Sequence, residues 1–361
     1  MDIINNRGTL EQTKNAVKNK ELKIGFIGGS ITAFENYRSW TEPVINWLMS
    51  TYDDVKISSV NSGIGATKSD FAVFRAEDDL DGCDLVFIEY AVNDNSEKTE
   101  YRMKTREGLI RKLLKKQSDL VFVYTFAQEM YDDMIKNKIP KSISEFEELA
   151  EYYNISSIWM GREALNQNID GRLRWEEWLP DGTHPTERGS FCYAGAVMKY
   201  LEQEMKNSVI SCIHKDALPL HPDNWENAAA LNFDDISWKK PWSLRKNSIN
   251  TGNTNPGTHL YTSAVGAELE FEFIGTGLFM VQMFGKLAAE FDYQIDKGDF
   301  IHCRTIDDRD NWMGETDWYR GIVLADELEN KKHTFRLRTT HSTSPQFCGT
   351  RMLIKMFGII K

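Results

Sequence analysis

The chain of 361 residues carries 43 Lys+Arg against 54 Asp+Glu, a formal net charge of −11, with 41% hydrophobic and 27% charged residues. That is the balance of a folded protein rather than a disordered one, and at roughly 100–200 residues per domain the length suggests two domains. The acidic total argues against a broad nucleic-acid or anionic-membrane surface, because no basic field draws phosphates in.

Met1 to Lys20 alternates polar and charged residues and lacks the apolar core of a signal peptide. No uninterrupted apolar run reaches the roughly 18 residues of a membrane-spanning helix. From there, Lys23–Ile27, Val55–Val60, Asp84–Glu89 and Leu120–Tyr124 read as buried parallel strands. Between and after them, Ser39–Thr51, Lys98–Lys116, Ser142–Tyr153 and Ser190–Met205 place apolar residues at helical spacing, and Ser39 with Glu42 makes a capping-box pair. This alternation predicts a three-layer α/β/α domain over residues 1–206, with a parallel sheet and its chemistry in the loops beyond the strands' C-terminal ends.

Residues 207–235, with Pro219, Pro222 and several Asp and Asn, read as a linker. In 236–361 alternating runs follow at Glu268–Ile274, Leu278–Met283, Glu290–Ile295, Gly321–Leu324, His333–Thr339 and Met352–Ile359, separated by Gly and Asp/Asn turns. They predict a C-terminal β-sandwich of jelly-roll type. Five cysteines (Cys83, Cys192, Cys212, Cys303, Cys348) are odd in number and without a CxxC pair, so neither a disulfide framework nor a zinc knot is expected. They read as small buried hydrophobes in a reducing cytoplasm.

Four strand-end loops carry the chemistry. The first strand runs into Gly28-Gly29-Ser30, a sharp turn that presents a serine hydroxyl; the glycines do not make the GxGxxG of a dinucleotide loop. The second ends in Asn61-Ser62-Gly63-Ile64-Gly65-Ala66-Thr67, suited to presenting backbone N–H groups. The third ends in Ala91-Val92-Asn93-Asp94, where Asn93 aims an amide into the same space. The last, Asp181-Gly182-Thr183-His184-Pro185, sets an Asp three residues before a His, spaced to orient its imidazole.

In this order the four loops resemble the blocks of the SGNH (GDSL-like) hydrolase superfamily over about residues 20–205. Two departures stand out: the third block begins with Ala91 where the family usually has Gly, and the second-block amide donor falls on either Gly65 or Ala66. The resemblance implies a serine esterase with Ser30 as nucleophile, His184 as base and Asp181 as its orienting partner. It implies an oxyanion hole from the Ser30 N–H, the N–H of Gly65 or Ala66, and the Asn93 side chain. It calls for no metal or organic cofactor, and Asp307-Asp308-Arg309-Asp310 lacks EF-hand spacing and reads as a solvated loop.

The ten tryptophans bear on the substrate. Trp175 and Trp178 precede the Asp–His loop, while Trp312 and Trp318 lie in a turn-rich loop of the β half; aromatic rings beside Asp, Glu, Asn and Arg suit a sugar. The other six read as packing. An SGNH domain followed by a jelly roll is similar to two-domain bacterial carbohydrate O-acetylesterases, whose β module resembles a carbohydrate-binding module, and most similar to those acting on mannan or manno-oligosaccharides. The expected partner is an acetylated oligosaccharide, with no nucleic acid or membrane, and a homodimer is compatible with the sequence. A lipase-like esterase or thioesterase, and a non-catalytic carbohydrate-binding protein, are the competing readings.

Overall fold

The computed structural model describes residues 2–246, 257–304, 317–343 and 349–361. The chain divides into two compact units, Met1–Glu226 and Asn227–Lys361.

In the first unit a six-stranded sheet is built from β1 (Ile4–Asn5), β2 (Glu21–Gly28), β3 (Lys56–Asn61), β4 (Leu85–Glu89), β5 (Asp119–Val123) and β6 (Ser156–Ile158), in the order β1-β6-β5-β4-β2-β3. All pairs are parallel except β1 with β6. Every residue of β4 and β5 is buried, as expected of strands covered on both faces. Helices α1 (Glu11–Lys18), α2 (Ser30–Ala33), α3 (Thr41–Thr51), α4 (Ser69–Asp79), α5 (Thr99–Lys115), α6 (Tyr131–Ile135), α7 (Lys141–Tyr153), α8 (Met160–Ile169), α9 (Trp175–Trp178) and α10 (Glu187–Lys206) connect and flank the strands. The strand order reverses direction between β2 and β4, whose ends pair Gly28 with Glu89, and a doubly wound sheet opens its crevice at such a switch point. Half of the expected capping box forms: the Ser39 hydroxyl accepts the Glu42 N–H at 3.1 Å.

Residues 207–226 pack onto this unit through backbone partners. The Thr9 N–H donates to the Ser211 carbonyl at 2.6 Å, and the His214 N–H to that of Tyr153 at 2.9 Å. The buried Glu107 carboxylate accepts the N–H groups of Leu220 and His221 at 2.5 and 2.7 Å. Trp225 packs against Phe74 and Tyr101.

The second unit is an antiparallel sandwich. One sheet runs β15-β12-β17-β10-β9, with β7 beside β17; the other runs β14-β13-β16-β11-β8. Their ranges are β7 Ala229–Leu231, β8 Ser237–Trp238, β9 Ser243–Lys246, β10 Thr258–Thr262, β11 Glu268–Gly275, β12 Gly277–Phe284, β13 Glu290–Ile295, β14 Ile301–Cys303, β15 Trp318–Ala325, β16 Lys331–Thr340 and β17 Met352–Ile360. In β11 strict alternation sends Leu269, Phe271 and Phe273 inward and Glu268, Glu270 and Glu272 outward. The inward rings meet the opposite sheet, with Phe271 and Phe357 centroids 4.9 Å apart. The outward glutamates pair across the strands, Glu270 with Arg336 and Glu272 with Lys332.

Among the described residues no helix is long and apolar enough to cross a membrane. Cys83, Cys192, Cys212 and Cys303 are free thiols; only Cys83 of these is buried as expected, whereas Cys192 and Cys303 are half-buried and Cys212 is exposed. Asp307 to Asp310 and Cys348 lie outside the described residues.

Candidate functional site

The site forms where β2, β3 and β4 end. Behind Gly28 the chain turns at Gly29, which caps the short helix α2, and Ser30 is its first residue. A Cβ at Gly29 would lie 2.0 Å from Asn93 Oδ1, so any side chain there would push the Asn93 amide aside. The Asn93 amide thus rests against the backbone that carries Ser30. Gly63 is packed just as closely from the β3 loop, where a Cβ would meet the Ala33 nitrogen at 2.5 Å.

That loop is fastened to the serine turn by its own amides. The Ile64 N–H donates to the Gly28 carbonyl at 3.0 Å, the Gly63 N–H to Asn61 Oδ1 at 3.0 Å, and Asn61 Nδ2 to the Thr32 carbonyl at 2.7 Å. Among the described residues no hydrogen bond engages the N–H of Gly65 or Ala66. Ala66 has φ of +58°, a left-handed conformation that an alanine adopts at a cost of about 1–2 kcal/mol.

The fourth loop brings the Asp–His pair over Ser30. Ser30 Oγ and His184 Nε2 are 2.8 Å apart, and His184 Nδ1 is 2.8 Å from Asp181 Oδ2. Asp181 Oδ1 accepts the backbone N–H groups of Thr183 and His184 at 3.0 and 2.7 Å. Partial burial pushes the Asp181 pKa up, but these two N–H groups and the His184 ring together outweigh it and hold the carboxyl below its ordinary range. An ionised Asp181 accepts from Nδ1–H, which leaves Nε2 with its lone pair toward the serine. A serine hydroxyl, an oriented imidazole, a carboxylate and an amide therefore share one locus.

The tryptophan expectations divide. Trp178 is 0% exposed, packed on Phe126 with centroids 4.8 Å apart, and its Nε1–H donates to Tyr193 Oη at 3.1 Å. It offers no surface to a sugar and is a core residue, a correction to the sequence reading. Trp175 is half-buried, edge-on to Trp178 and to Tyr131, which is itself 38% exposed. Trp318 opens strand β15 instead of lying in a loop, is half-buried, and packs with Phe284 and Ala288. Trp312 lies outside the described residues. Trp40, expected to be packing, is buried edge-on to Phe26 and Phe87.

Sequence reasoning missed several neighbours. Phe34 stands with its ring centroid 5.5 Å from that of His184, and the Arg38 guanidinium lies 4.1 Å over Phe34 while its Nε donates to the Pro185 carbonyl. Phe34 follows Ser30 by one helical turn, a signal that could have marked it. Beneath the turn, fully buried Glu89 accepts from Thr125 Oγ1 at 2.9 Å, from Thr32 Oγ1 at 3.2 Å and from the Gly29 N–H. Burial pushes its pKa up to about 7 against the pull of those donors. Among the described residues no cluster of His, Cys, Asp and Glu is arranged to hold a metal ion.

No protein-family model matches the chain, and no curated protein sequence matches it. Among solved structures it is similar to a two-domain esterase (CEX) active on acetylated mannans, co-crystallized with mannopentaose. The identity is 22% and the TM-score 0.80, over 99% of this chain and 96% of that one. A second structure of that two-domain esterase gives 21% identity and the same TM-score of 0.80 over the same shares. The likeness spans both units, and the chain has the fold of that two-domain protein: a parallel α/β unit followed by a β-sandwich.

Proposed function

We propose that the protein is a serine esterase that removes O-acetyl groups from acetylated oligosaccharides, mannan-derived ones foremost. The observation that carries the reading is the Ser30–His184–Asp181 chain of contacts, each 2.8 Å, with the Asn93 amide against the serine turn. A lone serine–histidine contact would be weak support. An imidazole fixed by a carboxylate and a serine flanked by N–H donors together match what acyl transfer requires.

In this reading Ser30 Oγ attacks the acetyl carbonyl as His184 Nε2 takes its proton, and Asp181 stabilises the resulting imidazolium. The tetrahedral oxyanion is received by the Ser30 N–H, by the N–H of Gly65 or Ala66, and by the Asn93 amide, each worth about 100- to 1,000-fold in rate. The C–O bond to the sugar breaks, and the departing oxygen takes the proton from His184. Water then attacks the acetyl-Ser30 ester, giving its proton to the same nitrogen, and acetate leaves with Oγ reprotonated.

The sugar preference is supported by the two-unit fold shared with an esterase active on acetylated mannans and by the Trp175–Tyr131 surface beside the Asp–His loop. The test is covalent. A p-nitrophenyl phosphonate should inactivate the protein with one equivalent of p-nitrophenol released and leave its adduct on the Ser30 peptide by mass spectrometry. An adduct elsewhere, or no p-nitrophenyl acetate hydrolysis by the untreated protein, contradicts the assignment.

A further inference from the structure

Helix α5 carries two arginines four residues apart, Arg102 and Arg106, which are 3% and 0% exposed. A guanidinium taken out of water is costly unless its N–H groups find acceptors. The acceptors of these two lie largely in the turn after β4, which holds Asn93.

Arg102 Nη1 donates to the carbonyl oxygens of Asn95 and Glu97 at 3.1 Å each and to that of Asp94 at 3.4 Å, while Nε pairs with Glu145. Arg106 Nε donates to Asp94 Oδ2 at 2.8 Å, and its other two nitrogens donate to the Ser142 carbonyl and hydroxyl oxygens at 2.9 and 2.7 Å. The Ser142 hydroxyl passes the link on, donating to the Ala91 carbonyl at 2.6 Å. The Phe146 ring supports the Arg106 guanidinium from 3.9 Å. Asp94 is completed by the Ser69 N–H and hydroxyl at 3.0 and 2.8 Å. The backbone is therefore gripped on both sides of Asn93, at Ala91 before it and at Asp94, Asn95 and Glu97 after it. Among the described residues no hydrogen bond holds the Asn93 amide itself. Its position depends on this backbone and on the contact with Gly29.

We propose that Arg102 and Arg106 are positioning residues: acting through Asp94 and Ser142, they hold the Asn93 amide where the oxyanion forms, a role that rests on the esterase reading above. The fork geometry matters as much as the charge. One planar guanidinium reaches Asp94 and both oxygens of Ser142 together, which a lysine ammonium in the same place cannot do.

A double-mutant cycle separates this from a merely structural role. Asn93→Ala, Arg106→Met, Ser142→Ala and the two doubles Arg106→Met/Asn93→Ala and Ser142→Ala/Asn93→Ala are compared on p-nitrophenyl acetate, with phosphonate titration of Ser30 counting competent sites. Asn93→Ala is expected to lower kcat by about 100-fold. Displacing the amide by about an ångström costs on the order of tenfold to a hundredfold, so Arg106→Met should reach the upper part of that range and Ser142→Ala the lower. KM stays within about twofold. In the Asn93→Ala background both effects should shrink to less than about twofold, because no amide is left to misplace. Losses that multiply in the doubles, or full kcat in both single variants, would overturn the proposal. If Arg106→Met does not fold, the milder Ser142→Ala cycle decides alone. Failure of the esterase reading itself would appear earlier and differently, as a wild-type protein with neither turnover nor phosphonate labelling at Ser30.

Discussion

Replacing Asp181 by Asn changes one atom and tests the direction of the whole proton path. Oδ1 accepts two backbone N–H groups, at 3.0 and 2.7 Å, so the asparagine must keep its oxygen there or set an NH2 against two donors. Its nitrogen is then left 2.8 Å from His184 Nδ1, where it donates. Nδ1 becomes an acceptor, the ring proton moves to Nε2, and Nε2–H faces the Ser30 hydroxyl it should deprotonate. In serine-protease triads this tautomer error costs about 10⁴-fold in kcat. We expect about 10³- to 10⁴-fold here, or roughly 4–5.5 kcal/mol of transition-state stabilisation at 1.36 kcal/mol per tenfold. Both backbone bonds survive and Asp181 is exposed, so the thermal midpoint should move by only a degree or two. Initial rates on p-nitrophenyl acetate, with a thermal melt of the same preparation, make the measurement. A variant that keeps more than about a tenth of wild-type kcat would refute the assignment of Asp181 as the group that sets the imidazole tautomer.

Other predictions follow from the same geometry. Gly29→Ala places a methyl 2.0 Å from Asn93 Oδ1 and should lower kcat by about 100-fold with KM little changed; stopped assays at saturating substrate check this. Ala66→Gly relieves a φ of +58° and should stabilise the fold by about 1 kcal/mol in urea unfolding without loss of turnover. Trp178→Ala empties a fully buried site and should cost about 3–5 kcal/mol by the same unfolding assay; a surface sugar-binding role predicts almost no loss of stability. Glu89 has its folded pKa raised to about 7 from an ordinary 4.5. The folded state therefore binds the proton more tightly, and ionisation costs stability progressively as pH rises from about 4.5 through 7. Glu89→Gln should gain on wild type by about 3 kcal/mol in unfolding free energy between pH 4 and pH 8, and a pH-independent difference would contradict this.

The residues of the candidate site were legible because each follows a short buried strand or a Gly/Pro turn, where local chemistry and position coincide. Ser30, Asn93 and His184 needed only their order along the chain. What supports them was not legible. Helix α4 is buried along most of its length and includes Asp70 and Arg75, so it shows no polar face; Arg75 is accommodated by Asp79, one turn on in the same helix, and by Ser62, a partner that only the fold brings near. Strands β1 and β6, of two and three residues, are too short to carry a period. Trp178 follows the polar Glu176 and Glu177 and so reads as exposed, whereas its burial is decided by Phe126 and Tyr193 from distant segments. The aperiodic stretch from residue 207 carries no sign of its attachment, which runs through backbone bonds to Thr9, Tyr153 and Glu107. Nothing in the local sequence marks Arg102 and Arg106 as buried guanidinium groups, because their acceptors come from the turn after β4 and from Ser142.

The central claim, acetyl removal from an oligosaccharide by Ser30, is tested most directly by proton NMR of an acetylated manno-oligosaccharide incubated with the wild-type protein and with Ser30→Ala, with acetylated xylo-oligosaccharide alongside. The account predicts that free acetate grows as sugar-bound acetyl signals decline with wild type, faster on the manno-oligosaccharide, and that Ser30→Ala leaves the spectrum unchanged. Acetate released equally by both proteins, or by neither on either sugar, would contradict it.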